Sequence, residues 1–288
     1  MAGADNLGFG CVSLTQHLIL KDALKILSIA FDKGIKHYDT ALLYGNGYSE
    51  KILGRFIKDK RDAVTITTKF GLGNLQQPNI SISIALALNR LKNKIKKPAS
   101  FTEFIDPVLT EFRSISLNYI QQSLNKSLKN LKTDFIDYYL LHEALPSFLT
   151  QDAIEYLLIQ KEKKIIRNLG VAAGYVNLFT ISKCELNNFD VMQYENSSHY
   201  KSDEICIKFP DKQHFYHSLL KSIPFLNTQH SKSELAGILL SRACKINPSG
   251  KVLFSTTSTK RLEENLKFFT QFNCLSLDEL NNLYIALH

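Results

Sequence analysis

Eight short runs of β-branched and aromatic residues, alternating with longer stretches of helical periodicity, predict a (β/α)8 TIM barrel for this 288-residue chain. The strand runs fall at 7–13, 36–41, 63–70, 135–142, 165–172, 191–195, 213–217 and 251–256. Helical patterns lie between most of them, at 21–33, 49–58, 116–131, 153–161, 231–245 and 259–268. Such a length suits one large barrel or two ordinary domains. Eight strands with no Pro/Gly/Ser-rich linker favour a single barrel domain over residues 1–288. The structural competitor, a doubly wound sheet, usually opens on a G-x-G-x-x-G turn. Here Gly8-Phe9-Gly10 lacks the third glycine, and no acidic residue ends a second strand in the usual context. The barrel is preferred.

Composition narrows the function classes. Hydrophobic residues make up 44% of the chain, enough for a full core rather than a disordered state. No apolar run reaches the length of a membrane span. Met1 is followed by Ala2-Gly3-Ala4-Asp5-Asn6, with neither a basic start nor an apolar stretch, so no secretory signal is expected. Five scattered cysteines without a C-x-x-C pair argue against a disulfide framework or a zinc site and suit a reducing cytoplasm. The net charge of +8 comes mostly from dispersed lysine, which fits an anionic cofactor better than nucleic acid.

In a barrel of this type the functional groups sit at the C-terminal ends of the strands. The second strand run closes near Asp39, with Tyr44 in the following loop. The third ends at Lys69, inside an otherwise apolar and hydroxyl-bearing run. A connection of some forty residues follows, 71–113, long enough for a functional lid or a disordered segment. Within it, 81–97 reads as a helix with apolar Ile84, Leu86, Leu88 and Leu91, stopped by Pro98. Its basic end (Arg90, Lys92, Lys94, Lys96, Lys97) is either a solvated cationic helix terminus or a flap over the barrel mouth. The fourth strand ends at His142.

Asp39, Tyr44, Lys69 and His142 thus converge on one rim, and the chemistry they suit is hydride transfer to or from a carbonyl. A free phenol has a pKa of about 10, too high for ready proton exchange at neutral pH. A nearby ammonium is expected to lower it, and a carboxylate behind the ammonium keeps the lysine charged. The histidine orients the substrate oxygen or relays the proton. No metal is needed, and the clustered ligands of a metal-dependent hydrolase are not evident at the strand ends.

The run Gly34-Ile35-Lys36-His37-Tyr38-Asp39-Thr40-Ala41, followed by Tyr44-Gly45, resembles the aldo/keto reductase family. Further matches are Thr67 and Lys69, the stretch Ser127-Leu128-Leu131 leading to Asp134, Asp137 and His142, and Lys164-Ile166-Arg167-Leu169-Gly170-Val171. The pattern Tyr44-Gly45-x-Gly47-x-Ser49-Glu50-x-x-Leu53-Gly54 is similar to the branch of aldose and galactose dehydrogenases.

The resemblance implies a nicotinamide cofactor extended across the barrel mouth, NADP (NADPH) rather than NAD. It implies that Gln193 hydrogen-bonds the carboxamide and that Tyr216 stacks on the nicotinamide, with Phe215 or His217 taking that place after a shift of register. Ser255, Thr256 and Arg261 would face the adenosine 2′-phosphate, and Glu264 and Asn265 the adenine. A hydroxyl-rich helix start suits a phosphate, and an arginine fork grips one bidentately. Three departures stand out. Ala172 and Ala173 replace a Ser-Asn pair that holds the carboxamide, and Ser255 replaces a common lysine. The chain also ends soon after its last helix, leaving substrate recognition to 71–113 and 196–211.

The function expected is an NADP-dependent oxidoreductase interconverting an aldehyde, ketone or sugar carbonyl with its alcohol, with Tyr44 as general acid/base. The alternative is a cofactor-binding regulatory or scaffold protein with little catalysis. The expected partners are a small carbonyl or sugar substrate and, at most, a few copies of the chain itself, with no nucleic acid and no membrane.

Overall fold

In the computed structural model, eight parallel strands close into a barrel in sequence order, β1 pairing with both β2 and β8. The structure describes residues 4–72, 75, 80–95, 114–197, 203–226 and 229–287. The strands are β1 (Leu7–Gly10), β2 (His37–Asp39), β3 (Thr65–Phe70), β4 (Ile136–His142), β5 (Ile166–Ala172), β6 (Val191–Glu195), β7 (Gln213–His217) and β8 (Lys251–Phe254). The helices are α1 (Leu20–Asp32), α2 (Tyr48–Phe56), α3 (Ile82–Ile95), α4 (Leu117–Leu131), α5 (Gln151–Glu162) and α6 (Tyr175–Thr180). They continue as α7 (Asp203–Lys208), α8 (Lys232–Ile246), α9 (Thr259–Phe272) and α10 (Leu277–Ala286). Among the described residues no helix is long and apolar enough to cross a membrane.

Strands β1, β2 and β8 are shorter than their sequence runs. After Gly10 the chain keeps one ladder bond, Cys11 N–H to Asp39 O at 2.8 Å, and then turns into a 3-10 segment, Val12–Thr15. Helix starts follow their capping chemistry. Ser116 caps α4 by accepting from Tyr119 N, and Ser231 with Glu234 forms a capping box on α8. The same device, Ser276 with Glu279, starts α10, a helix absent from the periodicity reading although its S-x-x-E signature is present.

The barrel interior is packed rather than open. His37 lies inside it, within hydrogen-bond distance of Thr65 Oγ1 (2.9 Å) and Thr67 Oγ1 (3.2 Å) and edge-on to Phe215. Gly8 makes room for it, since a Cβ there would sit 2.7 Å from the His37 ring and 2.5 Å from Leu253. At the N-terminal end of β4, Asp137 takes Arg61 on one oxygen and Arg167 on the other, each at 2.8 Å. Both guanidinium groups lie against the Phe135 ring.

Helix α3 falls inside the predicted 81–97, whereas Lys96, Lys97 and Pro98 lie outside the described residues, as does most of the remainder of 71–113. It packs beside α1 and α2, where Leu86 and Arg90 border a hollow shared with Ile19, Leu24 and Arg55.

Candidate active site

The C-terminal strand ends and the loops after them line a cavity of about 560 Å³. Asp39, Tyr44, Lys69 and His142 all line it, together with Gln193 and Ser255. The strand register accounts for the convergence: Asp39 pairs with Thr67, and Lys69 lies two residues further on, opposite Leu140, two residues short of His142. Residues two apart share a face of a strand, so the inward-pointing set meets at the mouth.

Tyr44 is held by a tight turn whose next three residues, Gly45, Asn46 and Gly47, all have left-handed backbones (φ 57°, 53° and 78°). Gly45 is required twice over, because a Cβ there would also lie 2.6 Å from Thr15. Behind the turn, Thr40 Oγ1 donates to Ser49 Oγ and Ser49 Oγ donates to Cys11 O, tying the start of α2 to β1 and β2.

The Lys69 ammonium donates to Asp39 Oδ1 at 2.6 Å and to Thr40 O at 3.0 Å. It lies 5.2 Å from the centroid of the Tyr44 ring. Burial pushes the Asp39 carboxyl above its ordinary value, opposed by the Lys69 charge and hydrogen bond and by the Gln193 side chain. His142 meets Tyr44 edge to face at 6.0 Å between centroids. Burial, then the charges of Lys69 and His217, drive its pKa well below the ordinary histidine value, so the ring is neutral. Among the described residues its Nδ1 is buried without a partner, as are Asp39 Oδ2 and Gln193 Oε1.

The expectation for the Tyr44 phenol is reversed. Burial raises its pKa well above the ordinary value, and the carboxylates of Asp39 and Glu143 push it the same way. The nearest ammonium is already committed to Asp39, so the phenol sees the pair rather than a free cation. Tyr44 is therefore a protonated donor at neutral pH.

The predicted cofactor residues are placed unevenly. Tyr216 faces away from the cavity; its ring packs on Tyr194 and its hydroxyl lies 2.9 Å from Cys206 Sγ. Gln193 pairs with Phe215 and Glu195 with His217, so the residue of β7 that reaches the mouth is His217. Ser255 lines the cavity and lies 2.6 Å from Ser13 Oγ. Thr256, Arg261, Glu264 and Asn265 follow beyond it, outside the cavity wall. Thr256 Oγ1 accepts from Ser258 N, Arg261 is exposed on the first turn of α9, Glu264 accepts from Ser233 Oγ, and Asn265 is buried.

No described side chain of α3 and no described residue of 196–211 lines the cavity; residues 198–202 lie outside the described set. The wall is completed by His217, the alternative that a shift of register offers on β7, and by Glu143, Tyr175, Glu195, Ser218 and Lys221, which the sequence does not single out. Their signal is position alone: Glu195 and His217 close strands, Glu143 and Ser218 open the loops after them, and Tyr175 and Lys221 follow within four residues of a strand end. Lys221 donates to Glu195 across the rim at 2.9 Å, and burial lowers the pKa of His217 to about 4.

A family model described as the aldo/keto reductase family matches residues 6–200. The Bacillus subtilis oxidoreductase YqkF is 31% identical over 167 residues, covering 58% of this chain and 44% of that protein. The aldo-keto reductase AFTS1 of Alternaria alternata is 28% identical over 64% of this chain and 50% of its own length. A D-threo-aldose 1-dehydrogenase from a Pseudomonas species is 44% identical over a shorter stretch, 27% of this chain and 22% of that protein. The first two matches thus span about half the length of those relatives. Among solved structures, the aldo-keto reductase of Klebsiella pneumoniae in complex with NADPH shares the fold, with a TM-score of 0.64 at 19% identity over 97% of this chain and 90% of that one.

Proposed function

The chain belongs to the aldo/keto reductase family, and from that premise we propose that it is an NADP-dependent oxidoreductase interconverting an aldehyde, ketone or sugar carbonyl with its alcohol. The observation that carries the reading is the meeting of Tyr44, Lys69, Asp39 and His142 in one cavity. In reduction, a nicotinamide held at Gln193 would supply, when bound, the hydride for the carbonyl carbon. Tyr44 gives its phenolic proton to the carbonyl oxygen as the C–O π electrons move onto it. The phenolate left behind is stabilised by the Lys69 ammonium, which Asp39 holds in place. Neutral His142 orients the oxygen from the other side. In oxidation the phenolate takes the proton back.

The chain's own residues fit such a cofactor. Gln193 Oε1, a buried acceptor without a partner among the described residues, suits the amide N–H of a carboxamide. Ala172 and Ala173 contribute no side-chain hydrogen bond beside it, which leaves Gln193 as the polar anchor. In this reading His217 takes the ring-facing place on β7 instead of Tyr216. Ser255, Thr256 and Arg261 would hold the 2′-phosphate, which favours NADP over NAD, with Glu264 and Asn265 at the adenine.

The Ala172–Ala173 pair also supports a second reading, a cofactor-binding protein of this fold with little catalysis. Fluorescence titration with NADPH and NADH, followed by NADPH oxidation against carbonyl and sugar substrates, separates the two. The enzyme reading expects tight NADPH binding and turnover that Tyr44→Phe abolishes without loss of binding. Binding with no turnover across the panel supports the second reading, and a fully active Tyr44→Phe protein would falsify the assignment of Tyr44.

A further inference from the structure

Glu143 is the first residue after β4, directly behind His142, and it lines the same cavity as Tyr44. Its backbone is left-handed at φ 56°, a conformation that side-chain-bearing residues other than Asn and Asp seldom adopt. Oε2 accepts from Gly174 N at 3.2 Å, which anchors the carboxylate against the loop after β5. Oε1 makes no hydrogen bond to a described residue.

The described residues around it leave this acceptor unengaged. On the β5 side the cavity wall is Ala172, Ala173 and Gly174, without a side-chain donor or acceptor, and the Tyr175 hydroxyl is already given to Glu204. Across the mouth, Glu195 is engaged by Ser197 and Lys221. Glu143 therefore presents an anchored oxygen with spare acceptor capacity on the side of the cavity that holds His142. An oxygen of that kind is well matched by a neutral hydroxyl, while a substrate carboxylate would be repelled.

Resting on the reading of the cavity as a carbonyl-reducing site, we propose that Glu143 determines substrate class: its free oxygen accepts a hydrogen bond from a hydroxyl near the reacting carbonyl, so that hydroxylated carbonyl compounds are preferred over their deoxy counterparts. The charge of Glu143 also opposes ionisation of Tyr44, which couples substrate recognition to the proton donor.

The test compares the wild-type chain with Glu143→Gln, which keeps an acceptor without charge, and Glu143→Asn, which tolerates the left-handed backbone but is too short to reach. NADPH titration confirms that each protein binds cofactor, and kcat/KM is then measured for glyceraldehyde, propanal, glycolaldehyde and aminoacetaldehyde. The wild type is expected to prefer glyceraldehyde over propanal by about tenfold or more, as expected for a hydrogen bond to a charged group. Asn should bring that ratio near unity, mainly through KM, and Gln should retain part of it. An unchanged ratio in Glu143→Asn, or an equal loss for both aldehydes together with weaker NADPH binding, overturns the inference while leaving the carbonyl-reducing function standing. A preference for aminoacetaldehyde over glycolaldehyde that Gln abolishes also overturns it, in favour of an ammonium group. If the wild type turns over none of the four, the functional reading falls and this one with it.

Discussion

The Lys69 ammonium and the Asp39 carboxylate meet at 2.6 Å with their side chains 2% and 6% exposed. Two opposite charges so enclosed are each other's main compensation for lost hydration. Removing either strands the other. Lys69→Met is accordingly expected to lower kcat for carbonyl reduction by about 10²- to 10⁴-fold. The same substitution should destabilise the fold by about 3–5 kcal/mol. Steady-state turnover and thermal unfolding of the same preparation check both.

The geometry at the opposite end of the barrel separates stability from activity. Asp137 binds Arg61 and Arg167, with Asp137 and Arg61 largely buried and the Arg167 side chain 50% exposed. Asp137→Ala should cost about 3–5 kcal/mol by leaving the largely buried Arg61 cation without its carboxylate. Arg167→Ala, losing a solvent-screened contact, should cost about 1 kcal/mol or less. Neither touches the mouth, so turnover per folded molecule should stay near the wild-type value. Denaturant unfolding monitored alongside kcat decides this.

His217 makes a pH prediction with a definite sign. Its pKa is about 4 in the fold and 6.5 for a free histidine. Between those values the unfolded chain binds the proton and the folded chain does not. Acidification through that window therefore favours unfolding, and the stabilising effect of the neutral ring is complete only above 6.5. Between pH 7 and 5 the contribution amounts to about 2 kcal/mol at most. His217→Gln should lose less thermal stability than the wild type over that interval, by a few degrees in Tm. Equal losses in the two proteins would count against a neutral, half-buried His217.

Arg261 tests the cofactor assignment. It lies exposed on the first turn of α9, close in sequence to Thr256. If it grips a 2′-phosphate, Arg261→Ala should weaken NADPH binding by about tenfold or more while leaving NADH binding nearly unchanged. Equal weakening of both nucleotides would place the arginine elsewhere.

Much of this was legible in the sequence because strand ends are local features. The alternation of short β runs and helical patterns carries the barrel; Asp39 and His142 close their strands in the linear sequence, and Lys69 stands one residue before the end of its own. Register along one strand is harder to read. The aromatic run of β7 offers Phe215, Tyr216 and His217 in succession, and periodicity alone does not say which parity faces inward. Pairing with β6 puts His217 opposite Glu195 and turns Tyr216 towards Tyr194 and Cys206. Glu143 was passed over for a related reason: a glutamate beside a histidine has no periodic signature, and only its left-handed backbone and the nearby Gly174 N–H set its carboxylate at the cavity wall.

By itself, the sequence determined the barrel, the family and the convergence of four reactive side chains on one rim, because these depend on residue type and on spacing along the chain. The tertiary structure decided the electrostatics. Whether an ammonium lowers a phenol's pKa depends on what else holds that ammonium and on how much water remains. Here Asp39 occupies Lys69, burial and Glu143 act on Tyr44 in the same direction, and the phenol stays protonated. Charges that lie far apart in the sequence sum only once the fold has brought them together.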